Sequence, residues 1–254
     1  MLADGTARNF AGSCTFPTRT GIGLGSSMAA RNEPLSEYNR RRDFTKTREP
    51  KGKVAPTSGD RKRFLVQKHD ATRLHYDFRL EWEGVLKSWA VTRGPSLNPG
   101  DKRLAVRTED HPLAYGDFEG TIPEGEYGGG TVMLWDTGWW EPEDGPAIAL
   151  RKGKLSFKLH GSRMKGGWAL VRIRKRDGDK RENWLLVKET DEIASEDGES
   201  LIKENVTSVV TGRTMDEIAR GEGEKRARVW HSNRSTAANL KAGAIADKDE
   251  ALKR

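Results

Sequence analysis

With 254 residues, the chain is long enough to bury one sizeable core or two smaller ones. Lysine and arginine outnumber aspartate and glutamate by 45 to 38, and the resulting net charge of +7 favours an anionic partner such as nucleic acid. The single Cys14 excludes a disulfide framework and a thiolate metal site, and no apolar run approaches the ~18 residues of a membrane span. We therefore expect a cytoplasmic, nucleoid-associated protein with no membrane partner.

The two ends of the chain lack the apolar periodicity of folded segments. Residues 1–34 are predicted to form a disordered leader, too rich in glycine for a secretory signal, and Met28 is a candidate start codon. Residues 221–254 are charged and rich in alanine, which predicts a disordered tail. Between these ends we expect a folded domain over residues 35–193 and a C-terminal extension over residues 194–220.

The folded domain begins with a predicted short basic helix at residues 35–42 and continues as short strands separated by turn residues. The strands are predicted at residues 64–68, 74–81, 87–91, 104–108, 131–135, 155–160, 168–174 and 184–188. Seven of the eight tryptophans fall between positions 82 and 184, which places the aromatic core there. The fold class is therefore mainly β, a small closed antiparallel β-barrel with short peripheral helices.

The second predicted strand carries the most informative pattern. Alternation with a period of two residues places one set of side chains in the core: Leu74, Tyr76, Phe78 and Leu80. The same alternation directs His75, Asp77 and Arg79 to the opposite, solvent-facing side, about 7 Å apart along the strand. An imidazole, a carboxylate and a guanidinium in one row suit a divalent cation and a phosphate.

Two further histidines lie close to this strand in the sequence. His69 precedes it and completes a His-x5-His-x-Asp set with His75 and Asp77, a pattern typical of an open metal site. His111 falls in the same window, after the fourth predicted strand. The alternative for His75 and Asp77 is a solvated strand face without a ligand, and for His111 alone it is a loop residue that caps a turn.

The motifs around these residues resemble a known family. The resemblance rests on seven ordered segments: 64–69 (FLVQKH), 73–80 (RLHYDFRL), 86–91 (LKSWAV), 93–96 (RGPS), 102–106 (KRLAV), 109–113 (EDHPL) and 118–128 (FEGTIPEGEYG). It extends back to Tyr38 and forward through residues 184–188, with a weaker similarity at 208–219. Together the segments resemble the 3′-phosphoesterase module of bacterial DNA ligase D, the ligase of non-homologous end joining.

This resemblance implies a small β-barrel with manganese in an outer groove. It implies that His69, His75 and Asp77 are the metal ligands, and that Arg79, His111 and Tyr115 are catalytic residues holding the scissile phosphate. It also implies supporting substrate-binding positions near the groove, at Arg42, Asp43, Glu49, Arg93 and Arg103. Arg93 departs from the family's Lys-Gly-Pro-Ser segment, and a guanidinium does not bind phosphate with the geometry of an ammonium.

The chemistry implied by the family is stepwise healing of the 3′ ends of DNA or RNA strands. A phosphodiesterase step removes a terminal ribonucleoside, and a phosphomonoesterase step then exposes a 3′-hydroxyl. Two imidazoles and a carboxylate favour Mn²⁺, with other divalent transition metals as alternatives, over Mg²⁺. No polymerase or ligase region is recognised, so we expect a stand-alone form that meets an end-joining ligase, a polymerase or Ku in trans.

Two other functions compete with this hypothesis. His75, Asp77 and His111 could form the two-histidine, one-carboxylate set of a non-haem iron oxygenase, which leaves His69 and Arg79 without a role. The barrel could instead bind nucleic acid without catalysis, although Tyr76 and Phe78 of the key strand face the core rather than a binding surface.

Two short motifs favour turns over enzymatic sites. Residues 175–178 (KRDG) match the nucleotidyl-transfer motif of DNA ligases but lie between two predicted strands, where Asp177-Gly178 is a natural hairpin turn. Residues 125–130 (GEYGGG) lack the Lys-Ser/Thr of a phosphate-binding loop and also predict a turn.

Overall fold

The computed structural model describes residues 34–56, 59, 61–175 and 177–222. Nearly all of the predicted leader and tail, including Cys14 and Met28, lies outside the described residues. No helix within the described ranges has the length and apolarity that a membrane span requires.

The described chain forms ten strands, four short α-helices and one 3₁₀ helix. The strands are β1 (Lys62–Asp70), β2 (Leu74–Trp82), β3 (Val85–Val91), β4 (Arg103–Arg107), β5 (His111–Pro112), β6 (Gly120–Ile122), β7 (Gly130–Pro142), β8 (Lys154–Gly161), β9 (Lys165–Arg172) and β10 (Asn183–Lys188). The helices are α1 (Ser36–Arg40), α2 (Pro146–Lys152), α3 (Ser200–Glu204), α4 (Met215–Ala219) and the 3₁₀ helix Leu113–Asp117. All eight predicted strands are present, and the predicted helix at 35–42 is α1.

Eight antiparallel strands close a barrel, which confirms the predicted fold class. Their order is β1-β2-β3-β4-β10-β9-β8-β7, and β7 pairs with β1 to complete the circle. The short β5 and β6 add to β3 and β7. Closure leaves the barrel strands without open edges, so their backbone groups are paired on both sides.

Alternation along the strands separates an interior core from a second apolar cluster outside the barrel. Phe64, Tyr76 and Phe78 lie in the interior with most of the tryptophans. Leu65 belongs to the outer cluster, where Leu35 and Tyr38 of the α1 segment and Tyr115 of the 3₁₀ helix cover the sheet. The outer face of the sheet near β1 and β2 is therefore partly covered by the α1 segment and the 3₁₀ helix, which we call the roof.

A β-bulge adjoins this roofed region. The pairing of β1 with β7 shifts between Val66 and Gln67, so Trp135 is an extra residue on β7. The bulge shifts the alternation by one residue, so Trp135 and Trp140, five positions apart, both reach the interior. Strand β7 is also much longer than the predicted 131–135, because it pairs in turn with β6, β1 and β8.

Where the structure describes them, the two short motifs lie in connections between strands, as predicted. Asp177 and Gly178 connect the antiparallel pair β9 and β10, and Gly178 has a positive φ of 93°. Such a φ suits glycine in a hairpin turn. Residues 125–129 likewise connect β6 to β7.

Candidate metal and phosphate site

Strands β1 and β2 bring the three predicted metal ligands together. His69 and His75 are directly opposite in the pairing of these strands, and Asp77 follows His75 on the same face. One ligand atom from each of the three residues lies within 4.8 Å of the other two. The His-x5-His-x-Asp residues thus lie on a tight hairpin, and its two strands bring the three side chains close together.

Each of the two imidazoles uses one nitrogen for a hydrogen bond and keeps the nitrogen nearer Asp77 available for a cation. His75 donates from Nδ1 to the carbonyl of Arg73 at 2.9 Å, and His69 donates from Nε2 to the carbonyl of Gly128 at 3.0 Å. The remaining nitrogens, Nε2 of His75 and Nδ1 of His69, lie 3.7 and 3.6 Å from the Asp77 carboxylate. Outer partners that orient both rings are a regular feature of metal-binding histidines, so this donor set fits a divalent transition metal.

Asp77 was predicted to face solvent and is instead buried, yet it is ionised. Burial raises the pKa of the carboxyl, but the Arg79 guanidinium and the two imidazoles outweigh burial and hold the pKa well below its usual value. A buried carboxylate that stays charged is an effective ligand for a hard or borderline cation.

Arg79 is on the predicted face, but the prediction that it faces solvent is wrong. Its side chain is 2% exposed, because the Tyr115 ring lies 4.9 Å from the guanidinium and the 3₁₀ helix covers it. Arg79 donates from Nε to Gln67 at 2.8 Å, from Nη1 to Ser88 at 2.8 Å and from Nη2 to Asp77 at 3.0 Å. Three of its five N–H groups are thereby used, and the other two remain for an anion.

His111 is a buried strand residue rather than a loop residue. It pairs with Leu86 in the β3–β5 ladder and donates from Nδ1 to the carbonyl of Glu109 at 2.9 Å. Its Nε2 lies 3.3 Å from Nη2 of Arg42, which can only donate. Burial and the charges of Arg79 and Arg42 lower the pKa of His111 well below its usual value, so the ring is neutral and accepts this hydrogen bond.

Tyr115 and Arg42 complete the basic end of the site. The Tyr115 ring lies 4.8 Å from the His111 ring, and burial raises the pKa of its phenol so that the O–H remains a donor. Arg42 donates to Glu49 at 2.8 Å and to Glu109 at 3.2 Å, and its guanidinium lies 3.9 Å from the Tyr38 ring centroid. Glu49 therefore acts on the site through Arg42.

The remaining predicted site residues lie away from this cluster. Asp43 accepts hydrogen bonds from Thr45. Arg103 pairs with Asp101 and Glu199 at 2.8 Å each, and the exposed Arg93 reaches the same Glu199 at 3.5 Å. None of the three lines the groove at the histidines, so their roles in substrate binding stay predictions.

Several residues of the site had no predicted role. Gln67 accepts from Arg79 and donates to the carbonyls of Tyr115 and Phe118 at 3.2 and 2.9 Å, and so joins the barrel wall to its roof. Tyr127 hydrogen-bonds Glu109 and Arg41 from the loop after β6. For Gln67 the sequence held a signal, because a residue two positions before His69 lies on the same strand face. The partners of Tyr127 depend on tertiary packing and could not be predicted.

The cluster opens into one groove of about 520 Å³. His69, His75 and Asp77 lie in its wall beside Arg79, His111, Tyr115 and Arg42. His111 is not a member of the metal-ligand cluster found among the described residues, which does not favour the oxygenase alternative.

Comparison with known proteins agrees with this geometry. Residues 67–172 match the model of the DNA ligase D 3′-phosphoesterase domain. The multifunctional non-homologous end joining protein LigD of Pseudomonas aeruginosa is 53% identical over 186 residues, which cover 72% of this chain and 22% of that protein. The corresponding LigD proteins of Mycobacterium tuberculosis and Mycolicibacterium smegmatis are 46% and 41% identical, over 59% and 60% of this chain and 19% and 20% of their own lengths.

The chain thus spans about a fifth of the length of the curated relatives it matches. The matched region contains all three residues of the metal cluster, as well as His111 and Tyr115. The chain therefore carries a domain of the DNA ligase D 3′-phosphoesterase family.

Proposed function

We propose that this domain is a metal-dependent phosphoesterase that heals the 3′ ends of nucleic acid strands in DNA repair. In this proposal it removes a terminal ribonucleoside as a phosphodiesterase, and then removes the resulting 3′-phosphate as a phosphomonoesterase. The observation that carries the proposal is the direct contact between the metal-ligand cluster and the arginine that would bind phosphate. Asp77 belongs to the ligand cluster and also accepts from Arg79, which lines the same groove.

A phosphate at this junction would meet donors that are already in place. Arg79 is held by Gln67, Ser88 and Asp77, so its remaining N–H groups need no rearrangement to bind an oxyanion. The Tyr115 phenol is a further donor, since burial keeps it protonated. Fixed donors of this kind stabilise charge that grows on phosphoryl oxygens.

His111 is the residue we assign to proton transfer at the leaving oxygen. In the absence of an anion it is neutral, with its Nε2 accepting from Arg42. A bound phosphate brings negative charge next to the ring, which raises the pKa of His111 and favours a proton on Nε2. That proton would then be available to the departing oxygen.

The cation is proposed to be Mn²⁺, held by Nδ1 of His69, Nε2 of His75 and the carboxylate of Asp77. When bound, such a cation supplies Lewis-acid polarisation of the phosphate and lowers the pKa of water. The substrates are proposed to be 3′ ends of DNA or RNA strands, and the partners an end-joining ligase, a polymerase or Ku. The proposed location is the cytoplasm, with the nucleoid.

A primer strand that ends in ribonucleotides tests the proposal. With Mn²⁺ we expect loss of the terminal ribonucleoside, a transient strand with a 3′-phosphate, and finally a strand with a 3′-hydroxyl. Excess chelator should stop both steps, because three side chains with two imidazoles do not position a phosphate without the ion. Full trimming in chelator would contradict the proposal, and so would turnover of 2-oxoglutarate with Fe²⁺ in place of trimming.

A further inference from the structure

The groove continues beyond the metal cluster across the outer face of β3 and β4. Asp77 is paired with Ala90, and Ala90 with Val106, so the three residues lie side by side on neighbouring strands. With a strand spacing of about 4.8 Å, Val106 is about 10 Å from the strand that carries Asp77. Ala90 and Val106 both line the groove. The wall next to the carboxylate is therefore small and apolar.

This apolar strip extends to the next outward residue of β4. Leu104 precedes Val106 on the same face, lies opposite Thr92 through a backbone bond of 3.2 Å, and is 38% exposed. We call Ala90, Leu104 and Val106 the apolar floor. Leu74, 46% exposed, stands at its edge beside His75. Unlike the region around Arg79, the floor has no roof of α1 or 3₁₀ helix.

Two arginines of the groove have no partner among the described residues. The guanidinium groups of Arg73, just before β2, and Arg181, just before β10, have no hydrogen bond or ion pair with any residue that the structure describes. The arginines near the phosphate site differ: Arg42 and Arg79 are paired, and so is Arg107, with Asp110. Unpaired arginines at the rim of an apolar strip are suited to phosphate, which their planar fork binds well.

We propose that the apolar floor binds the nucleotides on the 5′ side of the scissile phosphate, and that Arg73 and Arg181 contact the backbone phosphates of that strand. This inference rests on the proposed function. A terminal nucleoside on the 3′ side brings no further phosphate, whereas every nucleotide on the 5′ side brings one. Unpaired cations away from Arg79 and His111 therefore match the 5′ strand. Contacts to phosphates and sugar faces carry no base information, so the binding is independent of sequence.

The test compares three substrates in Mn²⁺: an oligonucleotide with a 3′-phosphate, the same oligonucleotide with a terminal ribonucleoside, and a nucleoside 3′-monophosphate that lacks a 5′ strand. For Arg181→Ala and Arg73→Ala we expect KM to rise several-fold on both oligonucleotides with kcat unchanged. The nucleoside monophosphate should be cleaved as by wild type. The dependence of log kcat/KM on log salt should become shallower by about 1 for each lost phosphate contact.

Three control variants distinguish the effect of the arginine charge from the effect of its location in the groove. Arg181→Lys should retain the wild-type salt dependence, because the charge remains. Arg151→Ala removes the same group from α2, which contacts β8 outside the groove, and should change nothing. Leu104→Glu places a negative charge on the floor and should raise KM on both oligonucleotides.

Three results would overturn the inference: no effect on the oligonucleotides, an equal effect on the nucleoside monophosphate, or an effect confined to the oligonucleotide with a terminal ribonucleoside. The last would assign the floor to the 3′ side. If wild type cleaved none of the substrates, the proposed function would fail. Fluorescence anisotropy with the 3′-phosphorylated oligonucleotide would then decide the inference separately: weaker binding by the two arginine variants supports it, and unchanged binding refutes it.

Discussion

Arg79 serves two purposes at once, because the hydrogen bonds that aim it also hold the wall of the site together. Gln67, Ser88 and Asp77 each depend on it for a buried hydrogen bond. Removing the guanidinium therefore leaves the Gln67 amide oxygen, the Ser88 hydroxyl oxygen and one Asp77 carboxylate oxygen without this donor. Such losses cost more than the loss of a surface charge.

For Arg79→Ala we expect the free energy of unfolding, measured by urea titration in chelator, to fall by about 3 to 5 kcal/mol. Turnover under folding conditions should fall by roughly 10² or more, because a preorganised donor to the phosphate is lost. Mn²⁺ should still bind and should restore part of the stability by compensating Asp77. A variant as stable as wild type would show that Arg79 is not the buried centre of this network.

His111 predicts a specific dependence of stability on pH. Burial and the neighbouring Arg79 and Arg42 lower its pKa in the folded protein. As the pH falls through the ordinary histidine range, the unfolded chain takes up a proton on His111 and the folded chain does not, so stability is lost toward acid. Between about pH 7.5 and about pH 5.5, this single group lowers the free energy of unfolding by about 1 kcal/mol.

Chemical denaturation at the two pH values, in chelator, checks this sign. His111→Gln should lose less stability on acidification than wild type does. If His111→Gln lost as much stability on acidification as wild type does, the environment assigned to His111 would be wrong.

At the level of elements, β2 divides its side chains between two environments. Tyr76 and Phe78 lie inside the barrel, and Phe78 packs on Phe64, Trp89 and Phe157 with ring centroids 5.8 to 6.4 Å away. Leu74 was also predicted to face the core, and this prediction is wrong. It begins the strand at the end of the barrel, where no neighbour covers it, and is 46% exposed.

Two substitutions on β2 therefore differ sharply. Phe78→Ala should lower the free energy of unfolding by about 3 to 5 kcal/mol through a core cavity. Leu74→Ala should change it by less than about 0.5 kcal/mol, as for a surface position. Thermal and urea unfolding measure both, and similar losses for the two variants would mean that the assigned facing of β2 is incorrect.

The strands were predictable because their apolar alternation is local. The same argument placed His75, Asp77 and Arg79 on one face, and His69 joins them because a short turn returns the chain directly alongside β1. Burial of that face was not predictable, since its roof comes from α1 and the 3₁₀ helix. The two-residue β5 and three-residue β6 were missed for the same reason: they are held by pairing with distant strands rather than by their own pattern.

At the level of the whole molecule, residues after the barrel contribute to its packing. Leu201 of α3 and Ile218 of α4 belong to the main apolar cluster, and the Trp135 indole donates to the carbonyl of Asn205 at 2.7 Å. The predicted boundary at residue 193 stays a prediction. The contacts indicate that the segment 194–222 stabilises the barrel.

Truncation distinguishes this segment from the two ends. Removing residues 1–27 and 223–254 should leave the melting temperature and turnover nearly unchanged, because neither sequence has a core-forming pattern. Leu201→Ala in the full chain should instead lower stability by about 2 to 5 kcal/mol. A large drop on removing the two ends would show that they take part in folding.

The most direct test of the account is the binding of Mn²⁺ measured by isothermal titration calorimetry on wild type, Asp77→Asn and His111→Gln. Asparagine keeps the size of Asp77 and an acceptor for Arg79, so the barrel should remain folded while the charged ligand is lost. We predict one tight site in wild type, loss of that site in Asp77→Asn, and retention of it in His111→Gln. Wild-type affinity in Asp77→Asn, or loss of the site in His111→Gln, would contradict a cation held by His69, His75 and Asp77.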